Sequence, residues 1–353
     1  SIVKRHGGVD NASTGFDYTH YFIKTSTQNL PMALGLFAEV MENLNLKEDE
    51  FERERKVVAE ERRWRTDNNP IGYLYFRLFN EHYIRSPYHW TPIGFMEDIQ
   101  SWSIDDLREF HKRYYSPNNA ILVIAGDINP KDAFKIAKEK FEHIKSRSPQ
   151  YKCALLNNIK TNEPPKDGAK RVIINKNNNR AETIAIAFSI PNFKDKDQVA
   201  LSVISEILSN GKSSRLYKSL VEEKQIANQV YGYNMELIDP GVFIFFAVAN
   251  PNVKAEDLEK AIKEEIERLK NTLVTKEELK RVKLTTKVEF IHQLESSSST
   301  ATLFGSYLAR GDIKPLLEYE DNLDKITPEV IQEVAKKYFD FNRSTTIILR
   351  RSK

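Results

Sequence analysis

The sequence contains a single cysteine, Cys153, and no long apolar run. One thiol excludes an intramolecular disulfide and any zinc site built from several cysteines. No stretch reaches the ~18 consecutive apolar residues of a membrane-spanning helix, and no secretory leader is visible. The seven histidines show no metal-ligand spacing, and neither H-x-x-E-H nor H-E-x-x-H occurs in the sequence. The compartment stays open between cytoplasm and periplasm.

Charge of one sign does not dominate either. The chain has 53 Lys and Arg residues against 50 Asp and Glu residues, and the two signs are interspersed. Without a basic arm or stripe, the composition does not predict nucleic-acid binding. A length of 353 residues with 40% hydrophobic residues predicts a globular protein of about two domains.

One pattern occurs twice in the chain. "SIDDLREFHKRYYSPNNAILVI" (103–124) and "TPEVIQEVAKKYFDFNRSTTII" (327–348) align without a gap at a constant offset of 224 residues. Each begins with a Ser or Thr helix cap, and each continues through a turn into a β-branched strand. The repeat predicts two related α/β halves produced by duplication.

The predicted fold class is α+β, in which each half has a mostly antiparallel sheet packed against helices. We expect a first domain over 1–145, a polar linker over 146–169 and a second domain over 170–353. In the first domain, "LPMALGLFAEVMENL" (30–44) is an amphipathic helix and "AILVIAGDI" (120–128) is a core strand.

The segment "FERERKVVAEERRW" (51–64) is a charged helix with an unusual stripe. At helical spacing, two acids fall among the apolar positions of one face, which comprises Phe51, Glu54, Val57, Val58, Glu61 and Trp64. Burial of an unpaired carboxylate costs several kcal/mol, so acids in a buried stripe require partners. Solvated ion pairs with arginines are the simpler explanation, and a metal ion is the alternative.

Several longer stretches resemble the M16 (insulinase/pitrilysin) zinc peptidases, and specifically their processing-peptidase-like M16B group. They are "IVKRHGGVDNASTGFDYTHYF", "ERERKVVAEERRW", "SPYHWTPIGFMEDIQSWSIDDLREFHKRYYSPNNAILVIAGDI" and "GKSSRLYKSLVEEKQIANQVYGY". The resemblance implies duplicated M16/LuxS-like metallohydrolase-type domains. It also implies a zinc-dependent metalloendopeptidase that hydrolyses peptides or unfolded polypeptides.

The resemblance assigns roles to particular residues. Glu61 matches the third zinc ligand, and Glu54 matches a supporting acid that orients the ligands. The segment Asn11, Ala12, Ser13 and Thr14 matches the edge strand that binds substrate. The family's H-x-x-E-H helix, with two histidine ligands and the general base, is expected before Ser1. The chain as given is therefore expected to be inactive and not to retain Zn²⁺.

A second departure from the family concerns partners. The family's second half usually carries an Arg and, seven residues later, a Tyr that help to hold the substrate; Val221 and Asn228 stand there in this sequence. We therefore expect a homo- or heterodimer in which a non-catalytic M16 subunit supplies the Arg/Tyr pair. The alternative is that this chain is itself a non-catalytic M16-like scaffold or presenting subunit.

Overall fold

The computed structural model describes residues 1–146, 163–177 and 179–351. Its sheets and helices confirm the predicted α+β class. The described strands are β1 (Val9–Thr14), β2 (Thr19–Lys24), β3 (Lys170–Lys176), β4 (Thr183–Ser189), β5 (Ala227–Met235), β6 (Val242–Ala249) and β7 (Thr345–Arg351). The described α-helices are α1 (Ile2–Arg5), α2 (Leu30–Asn43), α3 (Glu48–Arg62), α4 (Pro70–His82), α5 (Met96–Ser101), α6 (Ile104–Tyr114), α7 (Pro130–Phe141), α8 (Gln198–Ser209), α9 (Ala255–Asn271), α10 (Lys276–Leu294), α11 (Ser297–Ala309), α12 (Lys314–Leu317), α13 (Tyr319–Asp324) and α14 (Pro328–Tyr338).

The chain forms two compact units, each assembled from separate segments. Unit 1 comprises Ser1–Glu60, Gly94–Lys160 and His292–Ile313, and unit 2 comprises Glu61–Ile93, Thr161–Ile291 and Lys314–Lys353. Residues 147–162 of the predicted linker lie outside the described residues. The division into domains 1–145 and 170–353 stays a prediction about the repeat.

Unit 2 contains a five-stranded sheet in the order β3-β7-β4-β6-β5. Only the β3–β7 pair is parallel. β4 and β6 are nearly continuous apolar runs, which is typical of strands buried on both faces. One face packs against α8, α9 and α14 to form the main hydrophobic core.

The other face of this sheet receives α4. The ring of Tyr75 stacks on that of Phe246 at 6.3 Å between centroids. The His82 imidazole is buried, with Nδ1 3.1 Å from the Thr345 hydroxyl and Nε2 3.1 Å from the Ser189 hydroxyl. His82 thus connects the end of α4 to β7 and β4.

Unit 1 contains a two-stranded antiparallel sheet, β1–β2, and α2 packs against α7. The predicted helix over 30–44 is confirmed as α2. The predicted core strand over 120–128 is wrong: these residues form no strand, and 54% of Ile121 is exposed. A β-branched segment becomes a strand only where another strand offers hydrogen bonds, and no described strand pairs with this one.

The repeat extends beyond the aligned segments. α4 and α11 each contain 13 residues, and α5 and α13 each contain 6. In both halves the order is a long charged helix (α3 or α10), one of the 13-residue helices, a 6-residue helix, and then α6 or α14, with the short α12 as an additional element of the second half. α4 belongs to unit 2, although its counterpart α11 belongs to unit 1.

Candidate functional site

The stripe of α3 that carries the two acids is largely exposed. Glu54 is exposed and Glu61 is half-buried. Of the apolar residues on that stripe, Phe51 is buried, but Val57 is 56% exposed and Trp64 is 73% exposed. Among the described residues, the two carboxylates therefore do not lie within a buried apolar face. Helical spacing predicts which side chains share a face, but burial also requires a partner that covers the face.

Glu61 has one close partner within its own helical run. Its Oε1 lies 3.0 Å from Nε of Arg65, four residues along the chain. Both side chains are partly exposed, so solvent and salt weaken the pair. The simpler explanation of the sequence pattern, a solvated ion pair, thus describes Glu61 in this structure.

The helix widens directly after Glu61. Residues Arg63–Asp67 form a π-helix, here called the π-turn. The Arg62 guanidinium is buried, with Nη2 3.0 Å from Asp67 Oδ1 and its carbon atom 4.0 Å from the centre of the Phe76 ring. A spacing of five residues matches the i→i+5 period of a π-helix, so this ion pair stabilises the wide turn.

Two neighbouring segments also pack closely against the π-turn. A Cβ atom on Gly72 would lie 1.8 Å from the Arg65 carbonyl oxygen, so only glycine allows α4 to pass this close. Lys176 Nζ donates a hydrogen bond to the Asp67 carbonyl oxygen and lies 3.7 Å from the centre of the Tyr73 ring. The π-turn is therefore a packed feature of unit 2.

The repeat explains the π-turn as a one-residue insertion. α3 and the π-turn contain 15 and 5 residues, against 19 in α10. When the two runs are aligned from their first residues, Glu61 corresponds to Glu289. A single inserted residue in an α-helix produces such a turn without changing the phase of the flanking helix.

Glu289 lies next to two residues of α8 and its C-terminal end. Asn210 Nδ2 is 3.4 Å from Glu289 Oε1 and 2.5 Å from Glu206 Oε2. Burial raises the pKa of the Glu206 carboxyl, and the charge of Glu289 raises it further. The side chain of Asn210 thus connects Glu206 with the counterpart of Glu61 in the second half.

The residues predicted to bind substrate lie on β1. Asn11, Ala12, Ser13 and Thr14 are all exposed, and within the described residues β1 pairs only with β2. The Ala12 N–H donates to the Asn11 side-chain oxygen at 2.9 Å. A strand with one unpaired edge can accept an extended peptide through backbone hydrogen bonds.

The positions at which the family carries its Arg/Tyr pair have structural roles here. Val221 lies in a second π-helix, Tyr217–Glu223, and packs against the core of unit 2. Asn228 is exposed and lies at a β-bulge where β5 shifts register against β6. Neither side chain can supply the cationic or phenolic group.

Zinc does not fit the described residues on their own. Within 1–146, 163–177 and 179–351, no three His, Cys, Asp or Glu side chains cluster so as to hold a metal ion. Catalytic zinc typically has about three protein ligands, and here Glu61 pairs with an arginine. Among the same residues, no helix has the length and apolarity needed to cross a membrane.

Comparison with known proteins identifies the family. A family model described as "Insulinase (Peptidase family M16)" matches residues 1–83, and one described as "Peptidase M16 inactive domain" matches 101–285. The chain is 49% identical over 349 residues to "Zinc protease PqqE" of Helicobacter pylori, covering 99% of this chain and 78% of that protein.

More distant and structural relatives agree. The chain is 24% identical over 344 residues to "Probable mitochondrial-processing peptidase subunit beta, mitochondrial" of Arabidopsis thaliana, covering 94% of this chain and 63% of that protein. The crystal structure of a protease from Helicobacter pylori superposes with a TM-score of 0.95 at 48% identity, over 99% of this chain and 83% of that one. The chain therefore belongs to the M16 (insulinase) family of peptidases.

Proposed function

We propose that this chain is the metal-site subunit of an M16 zinc metalloendopeptidase that cleaves peptides or unfolded polypeptides. Glu61 is the third zinc ligand, and Glu54 supports it from one heptad earlier on α3. The other ligands come from an H-x-x-E-H helix outside residues 1–353, so these residues alone do not hold zinc tightly or hydrolyse peptides.

The main support is the arrangement in unit 2. There, Asn210 at the end of α8 donates a hydrogen bond to Glu289, the counterpart of Glu61, and another to Glu206 four residues earlier. The two histidines of H-x-x-E-H are also four residues apart, and residues with this spacing share one face of a helix. The second half thus offers a parallel, in which the end of a helix approaches the counterpart of Glu61.

The substrate is an extended segment that adds to β1 along Asn11–Thr14. β1 is exposed, and its described pairing leaves one edge open. Main-chain hydrogen bonds give affinity that depends little on sequence, which suits unfolded polypeptides. A non-catalytic M16 subunit in a dimer supplies the Arg/Tyr pair that Val221 and Asn228 do not provide.

The competing function is a non-catalytic scaffold or presenting subunit. The ion pair between Glu61 and Arg65 and the absence of a metal cluster among the described residues favour it. The coding sequence upstream of Ser1 discriminates between the two. H-x-x-E-H encoded there supports the peptidase, and a gene without it supports the scaffold.

The decisive experiment uses the complete gene product. Zinc content and cleavage of an unfolded polypeptide are compared in wild type, Glu61→Gln and Glu60→Gln, a neighbouring exposed acid on α3. We expect Glu61→Gln to lose most bound zinc and cleavage, and Glu60→Gln to retain both. Full activity in Glu61→Gln would remove the ligand assignment, as would tight stoichiometric zinc binding by residues 1–353 alone.

A further inference from the structure

One apolar face of α6 is exposed although the same face of α14 is buried. Leu107 is 38% exposed and Phe110 is 53% exposed, whereas their counterparts Ile331 and Val334 are 0% and 4% exposed. Lys112, on another face of α6, is exposed in the same way as its counterpart in α14. The contrast is therefore confined to the face that contributes to a core in α14.

The exposed face continues into neighbouring aromatic side chains of unit 1. The ring centroids of Phe110 and Tyr114 are 4.5 Å apart, and the Tyr115 hydroxyl lies 2.6 Å from the Tyr21 hydroxyl on β2. Tyr21 is 49% exposed. These four side chains and Leu107 are here called the aromatic face. A contiguous exposed apolar surface of this kind marks a place where another element packs.

The second half shows which elements cover the equivalent face. α14 packs against α8 and α9, and β7 lies between β3 and β4. In the first half, α2 follows β1 and β2 as α9 follows β5 and β6, so α2 is the counterpart of α9. Within residues 1–146, no element stands in the place of β3, β4 or α8 in this order. The helix that should cover α6 and the strands that should flank residues 120–125 are thus not among the described elements.

We propose that the aromatic face is the docking surface for a strand–strand–helix segment encoded upstream of Ser1, equivalent to β3, β4 and α8. Its helix covers Leu107 and Phe110, and its two strands pair with residues 120–125 on either side. This pairing satisfies the backbone groups of a β-branched segment that forms no strand without a partner. The inference concerns packing, and it stands whether or not the segment carries H-x-x-E-H.

The pairing of β2 supports the same occupant. Its counterpart β6 pairs with β5 on one side and with β4 on the other. Among the described strands, β2 pairs with β1 alone. A strand equivalent to β4 would therefore join β2 to residues 120–125 in one sheet. It would leave β1 as an edge strand, as β5 is in unit 2.

The length of a relative allows for such a segment. The 349 matched residues cover 78% of the Helicobacter pylori protein, so roughly 100 of its residues lie outside the match. In the second half, β3, β4 and α8 together occupy only Lys170–Ser209. A second copy of the chain could not supply these elements, because its own β4 and α8 are buried in the core of unit 2.

The first test compares residues 1–353 with the complete gene product by hydrogen exchange. We expect the amides of α6 and of residues 120–125 to exchange at least about 10-fold more slowly in the complete product, because the docked segment must open before they exchange. The amides of α14, whose face is already covered, are the control and should exchange equally in both proteins. Equal exchange of the α6 amides in both proteins would overturn the inference, as would a gene that encodes no segment upstream of Ser1.

The second test uses substitutions in the complete gene product. Leu107→Ala and Phe110→Ala should each lower the thermal midpoint by about 4 °C or more, because each leaves a cavity beneath the docked helix. Lys112→Ala, the matched change on the uncovered face of α6, should lower it by about 1 °C or less. In residues 1–353 alone, the two apolar substitutions should have much smaller effects. Losses no larger than that of Lys112→Ala in the complete product would contradict the docking.

Two further results would identify a different occupant and overturn the inference. If residues 1–353 form a dimer that Phe110→Asp dissociates, a second copy covers the aromatic face. If the α6 amides of the complete product become protected only when an unfolded polypeptide is added, the face binds substrate instead. Zinc content and cleavage do not enter these measurements, so failure of the proposed peptidase function would leave this inference intact.

Discussion

The two copies of the repeated segment share a helix and diverge at the strand. α6 is capped by Ser103, whose hydroxyl accepts the Asp106 N–H at 3.2 Å. α14 is capped by Thr327, whose hydroxyl accepts the Val330 N–H at 3.3 Å. Short 3₁₀ turns follow at Pro117–Asn119 and Phe341–Arg343, again at the offset of 224 residues. The local sequence is thus sufficient for the cap, the helix and the turn.

The two copies differ at the positions where the strand and the helix must pack against other elements. Thr345, the first residue of β7, is fully buried between β3 and β4, but its counterpart Ile121 is 54% exposed. On the helices, Ile331 is fully buried beneath α8 and α9, but its counterpart Leu107 is 38% exposed. The same pattern therefore contributes very different amounts of stability, because hydrophobic stabilisation depends on the area removed from water.

The strongest test of this difference is alanine substitution at the equivalent helix positions. Ile331→Ala should lower the free energy of unfolding of unit 2 by about 3 kcal/mol, because it leaves a cavity in a closed core. Leu107→Ala should cost about 1 kcal/mol or less, since much of this side chain is already in water. Urea unfolding of each variant measures both, and equal losses would contradict the comparison.

Acidification should also affect the partnered copy, through His82. Burial, reinforced by the charge of Lys166, holds the pKa of His82 well below its usual range, and His82 contacts Thr345 of β7. Because the unfolded chain takes up this proton more readily, the stabilisation is complete above about pH 6.5 and is lost as pH falls, by at most about 1.4 kcal/mol per pH unit.

The measurement is the urea midpoint of unit 2 between pH 7.5 and 5.5 in wild type and His82→Gln. The variant keeps a polar side chain but cannot titrate, so its midpoint should change less with pH. His143→Gln, which alters an exposed histidine, is the control and should behave as wild type. An unchanged pH slope in His82→Gln would show that other groups cause the acid sensitivity.

The helix caps should behave alike in both copies. Ser103→Ala and Thr327→Ala each remove the side-chain acceptor at the start of the helix, so each should cost about 1 kcal/mol. Hydrogen exchange of the first-turn amides of α6 and α14 reports the two effects separately. A large difference between the two destabilisations would mean that the caps contribute different free energies although the helices have the same geometry.

The smallest effect is expected at the unpaired segment. Ile121→Thr introduces the residue found at the equivalent position, Thr345. It should change the stability of unit 1 by less than about 0.5 kcal/mol, since Ile121 is exposed and does not belong to a described β-strand. Thr345→Val, the matched change in β7, removes a hydrogen-bond partner of the buried His82 and should cost about 1–2 kcal/mol. Thermal unfolding compares the two, and a larger loss in Ile121→Thr would reverse the comparison.

Sequence patterns predicted the features that depend on local signals. α2 lies where amphipathic periodicity predicts a helix over 30–44. The exposure of the acidic stripe on α3 could not be predicted in this way, since amphipathic spacing does not reveal whether a second surface exists to cover it. The family resemblance, carried by long ordered stretches, identified the peptidase family, although the roles of Glu54 and Glu61 stay predictions.

The π-turn and the neighbours of Glu289 were missed for a more specific reason. The gap-free repeat covers only 103–124 and 327–348 and does not include α3 or α10. The offset between the halves is 228 residues at Glu61 and Glu289, 227 at the starts of α4 and α11, and 224 in the repeat, so the correspondence of Glu61 with Glu289 does not appear at 224. Pairing the two acids therefore requires several inserted residues between α3 and α6, and only one of them lies in the π-turn.

The crossed membership of α4 and α11 bears on how such a chain could arise. Each unit contains a 13-residue helix encoded by the other half of the gene. An ancestor with a single repeat could form this arrangement as a domain-swapped dimer, in which each chain contributes its 13-residue helix to the other chain. Gene fusion would then have fixed the exchange of helices within one chain. If the two halves were expressed separately, each unit would lack the 13-residue helix that the other half encodes.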